Sequence, residues 1–438
     1  MVYSFLATWI SFIFPVFYKR LQIRNAHWLR LKTPAIIAIN HPNAFADPVG
    51  LGFIMYPTRF WYLARGDVFK PGFMSWILDK IGIIPIYRIS EGGKEGLLKN
   101  DATYQRVNEH LKNNLKVIVF AEGICIMERR LRPIKKGVSR MVFGALESLG
   151  DKDLLVIPVG VNYSQPDKFR SDLFYNVGEP ISVKEFIKDK DKQSAKTQKA
   201  FLEMLEPKLR CLITHIEQPE NDTLVLQAEE LNKREMMEAR QLDVNDLSKD
   251  LEVLQEITAK INRAASENRG ALETYREGCT EYFHLLQKHK LRDWLLRDKN
   301  TYLLNYPMLL IRLCLLITGL PVFVFGYICN VLPHTLSFFI TRKIVKHREF
   351  FASFITVVAV VLFTLYYLLF FFLAWSFGDS LWRAVSLVAL AMLSARFNLY
   401  YIPFAFKTLG IFRILKNPKL YKALKAQRKE LKEQFNKL

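Results

Sequence analysis

The chain has 438 residues, half of them hydrophobic, and a formal net charge of +20. That length accommodates a domain of ordinary size plus a second unit. Five cysteines (Cys125, Cys211, Cys279, Cys314 and Cys329) are odd in number and widely scattered, which excludes a disulfide framework or a metal-ligand spacing and points to a reducing compartment. No nucleic-acid module accompanies the basic charge. The simpler partner for it is a bilayer with anionic headgroups, and a phosphate-bearing substrate would gain from the same field.

In chain order, Met1 to Tyr18 is apolar and is followed by Lys19 and Arg20. A secretory signal would place its positive charge before the apolar run and a small-residue cleavage site after it. Neither is present, and Pro15 interrupts the run, so residues 1–20 are expected to form an interfacial or membrane helix.

From about Lys32 to Lys190 short apolar runs alternate with helical stretches. "PAIIAIN", "RFWYLA", "IGIIPIYR", "LKVIVFAEG" and "DLLVIPVGVNY" read as strands, several of them apolar without interruption and therefore buried on both faces. "TYQRVNEHLKNN" and "KKGVSRMVFGALESLG" read as helices between them. The alternation predicts an α/β domain over 21–215 with a mostly parallel sheet. "EQPENDT" (Glu217 to Thr223) reads as a connector, and 216–302 as a charged region of amphipathic helices with no chemistry assigned to it.

The remainder reads as membrane. Phe350 to Phe377 carries no charge and is long enough to cross a bilayer. Leu303 to Ile340 is broken by "TGLP", which predicts a helical hairpin bent at Gly319 and Pro321. A second hairpin is expected from Phe350–Phe377 and Leu381–Phe406 around the turn at Gly378 to Ser380. The transmembrane hairpins thus occupy 303–406, and 407–438 is a basic helical tail. Arg396 is expected to snorkel or to face a protein interior. The basic loop Arg342 to Arg348 and the tail should face the cytoplasm, and two hairpins would place the α/β domain on that side with them.

Four segments of the α/β domain carry residue types suited to chemistry. In Asn40-His41-Pro42-Asn43-Ala44-Phe45-Ala46-Asp47, a histidine ends an apolar strand with a carboxylate nearby. A general base on a hydroxyl needs that pairing, because the carboxylate fixes the imidazole tautomer and stabilises the imidazolium. The spacing corresponds to about 600° of helix, so the two side chains cannot share a helix face. Pro42, Asn43 and Pro48 favour a turn that can bring them together. Arg88 leaves the strand "IGIIPIYR" and is able to hold phosphate bidentately. In "VIVFAEGIC", Glu122 and Gly123 follow a buried strand, and the glycine lets backbone approach a ligand. Arg129, Arg130, Arg132, Lys135 and Lys136 come next, open to two readings: substrate phosphate and acidic donor, or anionic headgroups. Val156 to Val159 is apolar scaffold.

In this order and spacing the four segments resemble the motif blocks of the glycerolipid acyltransferases, the family of lysophosphatidate and glycerol-3-phosphate acyltransferases. The resemblance covers roughly residues 20–215. It implies an α/β acyltransferase domain with the site at strand ends, His41 as general base and Asp47 as its partner. Substrate-binding residues would be Asn43, Arg88, Glu122, Gly123, Arg129, Arg130 and Lys135. The implied reaction needs no cofactor and uses acyl-CoA or acyl carrier protein as co-substrate, with a glycerol-phosphate-type acceptor. Two departures stand out. One more residue than usual separates His41 from Asp47, and Ala121, Ile124 and Cys125 replace a proline and a polar pair. These leave two alternatives: acylation of another lyso-lipid such as a lyso-aminolipid, and a catalytically silent membrane scaffold.

Overall fold

The computed structural model describes residues 4, 8, 14–66, 69, 72–87, 89–191, 194–378 and 380–438. The expected helix over 1–20 falls mostly outside them; Ser4, Thr8 and residues 14–17 are helical. The chain divides into two compact units. The first holds residues 1–215 with 245–255 and 347–354, and the second holds 216–244, 256–346 and 355–438.

The first unit is built on an eight-stranded, mostly parallel sheet. Its strands are β1 (Arg20–Arg24), β2 (Ala35–Ile39), β3 (Phe60–Arg65), β4 (Ile83–Ile86), β5 (Lys116–Phe120), β6 (Leu155–Tyr163), β7 (Asp172–Val177) and β8 (Ile181–Ser182). They lie in the order β1-β7-β6-β2-β5-β3-β4, with β8 beside β6. β7 and β8 pair antiparallel with β6, and β1 pairs parallel with β7, so these three strands run against the rest. All five residues of β2 are buried, and Ile37 lies between Ile118 of β5 and Ile157 of β6. A central parallel strand is covered on both faces, which is why its sequence is apolar without alternation.

Helices α1 (Ala46–Ile54), α2 (Phe73–Lys80), α3 (Ile89–Lys112), α4 (Lys136–Ser148) and α5 (Ala195–Arg210) connect or flank the strands. Val138, Val142 and Ala145 of α4 join Phe201, Leu205 and Leu209 of α5 in one core with Val117 and Val156. Burying side chains of this size stabilises the fold by about 2 kcal/mol each. Ser194 caps α5 by accepting from Lys196 N at 3.2 Å.

The five strands anticipated between Pro34 and Tyr163 are all present. β1 and β7 were not anticipated, and the reason is physical. β1 (RLQIR) is an edge strand of intermediate burial, and its register is set by a two-point Arg20–Asp172 pair at 2.9 and 2.7 Å. Part of the middle region also belongs to this unit. Leu247 and Leu251, at the start of α6 (Leu247–Glu267), pack on Phe174, and Gln22 bonds both Asn245 O and Leu247 N at 2.8 Å.

The second unit is helical. α7 (Arg269–Lys288) and the last helix, α11 (Pro418–Lys437), meet around a buried charge. Arg428 Nε lies 2.7 Å from Asp293 Oδ1, and Tyr282 donates to the same oxygen at 2.9 Å. Between them lie α8 (Tyr306–Ile344), α9 (Arg348–Ser376) and α10 (Leu381–Lys416), three helices long and apolar enough to cross a membrane.

The hairpin expected at Gly319 and Pro321 does not form, because α8 is one helix of 39 residues. Gly319 and Gly326 instead allow α10 to approach. A Cβ at Gly319 would lie 2.9 Å from Tyr401, and one at Gly326 would lie 2.8 Å from the Ser394 backbone. Small residues at such crossings are how apolar helices pack where lipid supplies no hydrophobic drive. Tyr401 and Asn398 of α10 donate to the carbonyls of Leu316 and Phe323 along the same stretch. Asn330 ties three helices, donating to Ala391 O at 3.1 Å and accepting from Tyr367 at 2.6 Å. Arg396 is exposed on α10. The arginine facing protein is Arg312, bonded to Thr408 with its guanidinium over Phe404.

Candidate active site

From β2 the chain moves to β3 on one side, and from β5 it crosses back over β2 to β6. The direction of winding therefore changes at β2, and in open α/β sheets the crevice at such a switch lies outside the carboxyl ends of the strands. His41 follows β2 and Glu122 follows β5, both at carboxyl ends.

Asn40 is the first residue after β2. Its side chain donates to Val161 O at 3.1 Å and accepts from Val161 N at 2.6 Å, so it continues the pairing with β6 after the backbone has left it. His41 can then turn out of the sheet, where its ring stacks on Phe120 with centroids 3.7 Å apart.

The bend through Pro42 and Asn43 returns the chain into α1, whose first turn carries Asp47. His41 Nδ1 and Asp47 Oδ2 are 2.8 Å apart, with the carboxylate fully buried. Asp47 Oδ2 also accepts from Asn43 N at 2.8 Å, and Oδ1 accepts from Tyr163 at 2.7 Å. Tyr175 donates to the backbone carbonyl of Asp47 at 2.8 Å. Burial first, and then the charge of Asp47, push the Tyr163 and Tyr175 hydroxyls well above the usual tyrosine range. Both phenols are therefore neutral donors, and the buried carboxylate is solvated by protein rather than by water. With Nδ1 engaged by Asp47, Nε2 is the ring nitrogen left to receive a proton.

Glu122 is 4% exposed. Its Oε1 accepts from His41 N at 3.2 Å and its Oε2 from Arg132 N at 3.3 Å. Burial raises its carboxyl to about 7, against the lowering effect of those two backbone bonds and of the Arg132 charge. This residue, expected to contact substrate, ties the His41 loop to the Leu131–Arg132 segment. Asn43, also expected to contact substrate, is fully buried. It donates to Pro166 O and accepts from Ser353, both at 2.8 Å, so its geometry is that of a loop clasp.

Gly123 has φ 65°, the left-handed region that favours glycine, and its α-carbon faces the Lys135 side chain. Lys135 is exposed beside it. Arg129 donates to Ser164 O at 2.7 Å, and Arg130 lies 3.4 Å from Glu128, which Arg132 also contacts. The basic cluster is thus partly neutralised by protein groups. Arg88 lies outside the described residues. Cys125 Sγ accepts from Ala44 N at 3.1 Å. Burial, with the Asp47 charge second, pushes its thiol up to about 12, which leaves too little thiolate for nucleophilic work at neutral pH.

Sequence reasoning missed Tyr163, Tyr175, Phe120 and Ser353. The two tyrosines had a usable signal, because both lie on strands near β2. Ser353 had none: it lies 310 residues from Asn43, inside an apolar helix.

The family model described as Acyltransferase matches residues 20–162. Glycerol-3-phosphate O-acyltransferase 1 of Saccharomyces cerevisiae is 38% identical over 80 residues, covering 18% of this chain and 10% of that protein. Glycerol-3-phosphate O-acyltransferase 2 of the same yeast is 37% identical over 86 residues, covering 20% and 12%. The matched stretch is therefore a small part of both relatives. Among solved structures, the 1-acyl-sn-glycerophosphate acyltransferase PlsC of Thermotoga maritima aligns over 45% of this chain and 72% of its own, with 16% identity and a TM-score of 0.30.

Proposed function

We propose that the protein, whose residues 20–162 match the acyltransferase family model, moves a fatty acyl group from an acyl thioester to a hydroxyl of glycerol 3-phosphate or lysophosphatidate. The observation that carries the proposal is the His41–Asp47 pair at 2.8 Å, at the carboxyl end of the central strand. Asp47 holds Nδ1–H, and Nε2 takes the proton of the acceptor hydroxyl as that oxygen attacks the thioester carbonyl. The tetrahedral intermediate collapses by breaking the C–S bond, and the imidazolium returns its proton to the departing thiolate. No acyl-enzyme is needed, in keeping with the un-ionised Cys125 thiol.

The yeast relatives, by name, act on glycerol 3-phosphate, which supports that acceptor class. Ile124 and Cys125 favour a second reading for the acceptor, because an apolar side chain and an un-ionised thiol stand where a polar pair would bind a phosphorylated glycerol. Another lyso-lipid, such as a lyso-aminolipid, is that alternative. The donor, acyl-CoA or acyl carrier protein, is part of the proposal.

Three helices long and apolar enough to cross a bilayer support a membrane location. Residues 347–354, which include Arg348, belong to the same unit as the sheet. An excess of Lys and Arg beside membrane helices marks the cytoplasmic side, and we place the site there.

The test is acyl transfer by detergent-purified protein. Labelled acyl-CoA and acyl carrier protein thioesters are offered against glycerol 3-phosphate, lysophosphatidate and lyso-aminolipids. Loss of a general base costs about 100-fold or more, so transfer to one acceptor that falls by that factor in His41→Ala supports the reading. No transfer to any acceptor by folded protein would replace it with the scaffold.

A further inference from the structure

The loop between His41 and Asp47 is held at its middle by a residue from far along the chain. Ser353, 4% exposed in the second turn of α9, donates to Asn43 Oδ1 at 2.8 Å and accepts from Ala46 N at 3.1 Å. Ala46 is the first residue of α1, and the first N–H groups of a helix have no partner within it. Ser353 therefore supplies from another helix the cap that α1 lacks in its own sequence: the residue at its N-cap is Phe45, whose side chain cannot accept a hydrogen bond. The other end of the Asn43 amide donates to Pro166 O at 2.8 Å. One residue further on, Asp167 forms an ion pair with Arg348, the first residue of α9. Two points on the start of α9 thus grip the His41–Asp47 loop and the 164–170 loop behind it. Ala352, beside Ser353, is small and buried, which permits the close approach.

We propose that Ser353 is a positioning residue for the acyl transfer described above: through Asn43 and Ala46 it sets the turn that presents His41 to Asp47. The inference rests on that functional reading. It means that the site is complete only when the first two turns of α9, a helix whose composition is otherwise that of a membrane span, are seated on it. Deleting the hydroxyl would leave a buried acceptor on Asn43 and a buried donor on Ala46 unanswered at once, and such groups are expensive to bury alone. The loop would then sample other conformations, and the fraction of molecules with the catalytic pair formed would fall.

The experiment uses the full-length protein with Ser353→Ala and Ser353→Thr. Hydrogen–deuterium exchange of peptides covering residues 41–47 is read alongside kcat and KM for the acceptor, with exchange in β6 as the control for folding. In Ser353→Ala, loop exchange should quicken and kcat should drop, each by about tenfold, while KM stays within about twofold. The threonine variant, which keeps the hydroxyl, should restore both. Loop exchange that stays at the wild-type rate in Ser353→Ala would overturn the proposal, as would a kcat within about twofold of wild type. The exchange measurement needs no substrate. Wild-type protein that transfers nothing, with a loop that loosens only in the alanine variant, would refute the acyl-transfer reading while supporting the clasp.

Discussion

Tyr163 donates its hydroxyl at 2.7 Å to Asp47 Oδ1, the carboxylate oxygen that His41 does not use. The two bonds divide the work of holding a fully buried charge: one fixes the imidazole, and the other keeps the carboxylate from turning away. Tyr163→Phe removes the second without changing shape. A lost hydrogen bond to a buried charged group is expected to cost about 2 kcal/mol of stability. A kcat falling by about tenfold or more, with KM little changed, would mark a role in orienting His41. Thermal unfolding and steady-state kinetics on the same preparation separate the two effects.

Glu122 predicts a pH dependence of stability with a definite sign. Its carboxyl ionises near 4.5 in the unfolded chain and is raised to about 7 by burial in the folded one. Below that window the group is protonated in both states. Within it the folded protein holds a proton that the unfolded chain has released, so stability contributed by Glu122 is present at low pH and is lost as pH rises through about 7, by about 3 kcal/mol. Melting curves of wild type and Glu122→Gln across pH 4.5 to 8 test this. The stability difference between them should change through the window and be flat above it; a constant difference would mean that Glu122 ionises normally.

Cys125 lies against the His41–Asp47 loop through Ala44 N, and its position invites assignment as a nucleophile. With its thiol raised to about 12, it should alkylate slowly at neutral pH, as followed by peptide mass spectrometry. Cys125→Ser, whose hydroxyl can also accept from Ala44 N, should keep activity within about threefold, since no covalent intermediate passes through it. An acylated Cys125 trapped from the wild type, together with loss of turnover in the serine variant, would reverse the mechanism.

In the second unit, Arg428 is 5% exposed against a fully buried Asp293, and it also bonds Glu235 at 2.7 Å and Leu231 O at 3.0 Å. Arg428→Met keeps much of the volume and leaves Asp293 without its closest charge partner. The loss of one member of a buried pair costs about 3 to 5 kcal/mol, so the melting temperature should drop clearly. Restoration by Arg428→Met combined with Asp293→Asn would identify the stranded charge as the cause.

What could be read from the sequence follows the physics of each element. β2, β5 and β6 announce themselves because central parallel strands must be apolar without interruption. The His41–Asp47 pair was legible because prolines and Asn43 force a turn between two residues that a helix would separate. β1 was not legible, since an edge strand held by an Arg20–Asp172 pair carries no apolar run. α8 was misread for a different reason. Gly319 and Pro321 look like a break in a single helix, and only the presence of Tyr401 and Ser394 alongside shows that α8 glycines serve contact between helices. Ser353 lay beyond reach because its partners, Asn43 and Ala46, are local to another part of the chain.

Position 40 must offer one donor and one acceptor at once, at the reach that meets both backbone groups of Val161. Aspartate lacks the donor, serine falls short in length, and glutamine overshoots. Asparagine is selected there by hydrogen-bond valence, independently of any substrate. In the stretch Asn40-His41-Pro42-Asn43, both amides are engaged by protein groups, Asn40 with Val161 and Asn43 with Pro166 and Ser353. With His41 as the base proposed above, a chain without that activity could keep both asparagines and discard only the histidine.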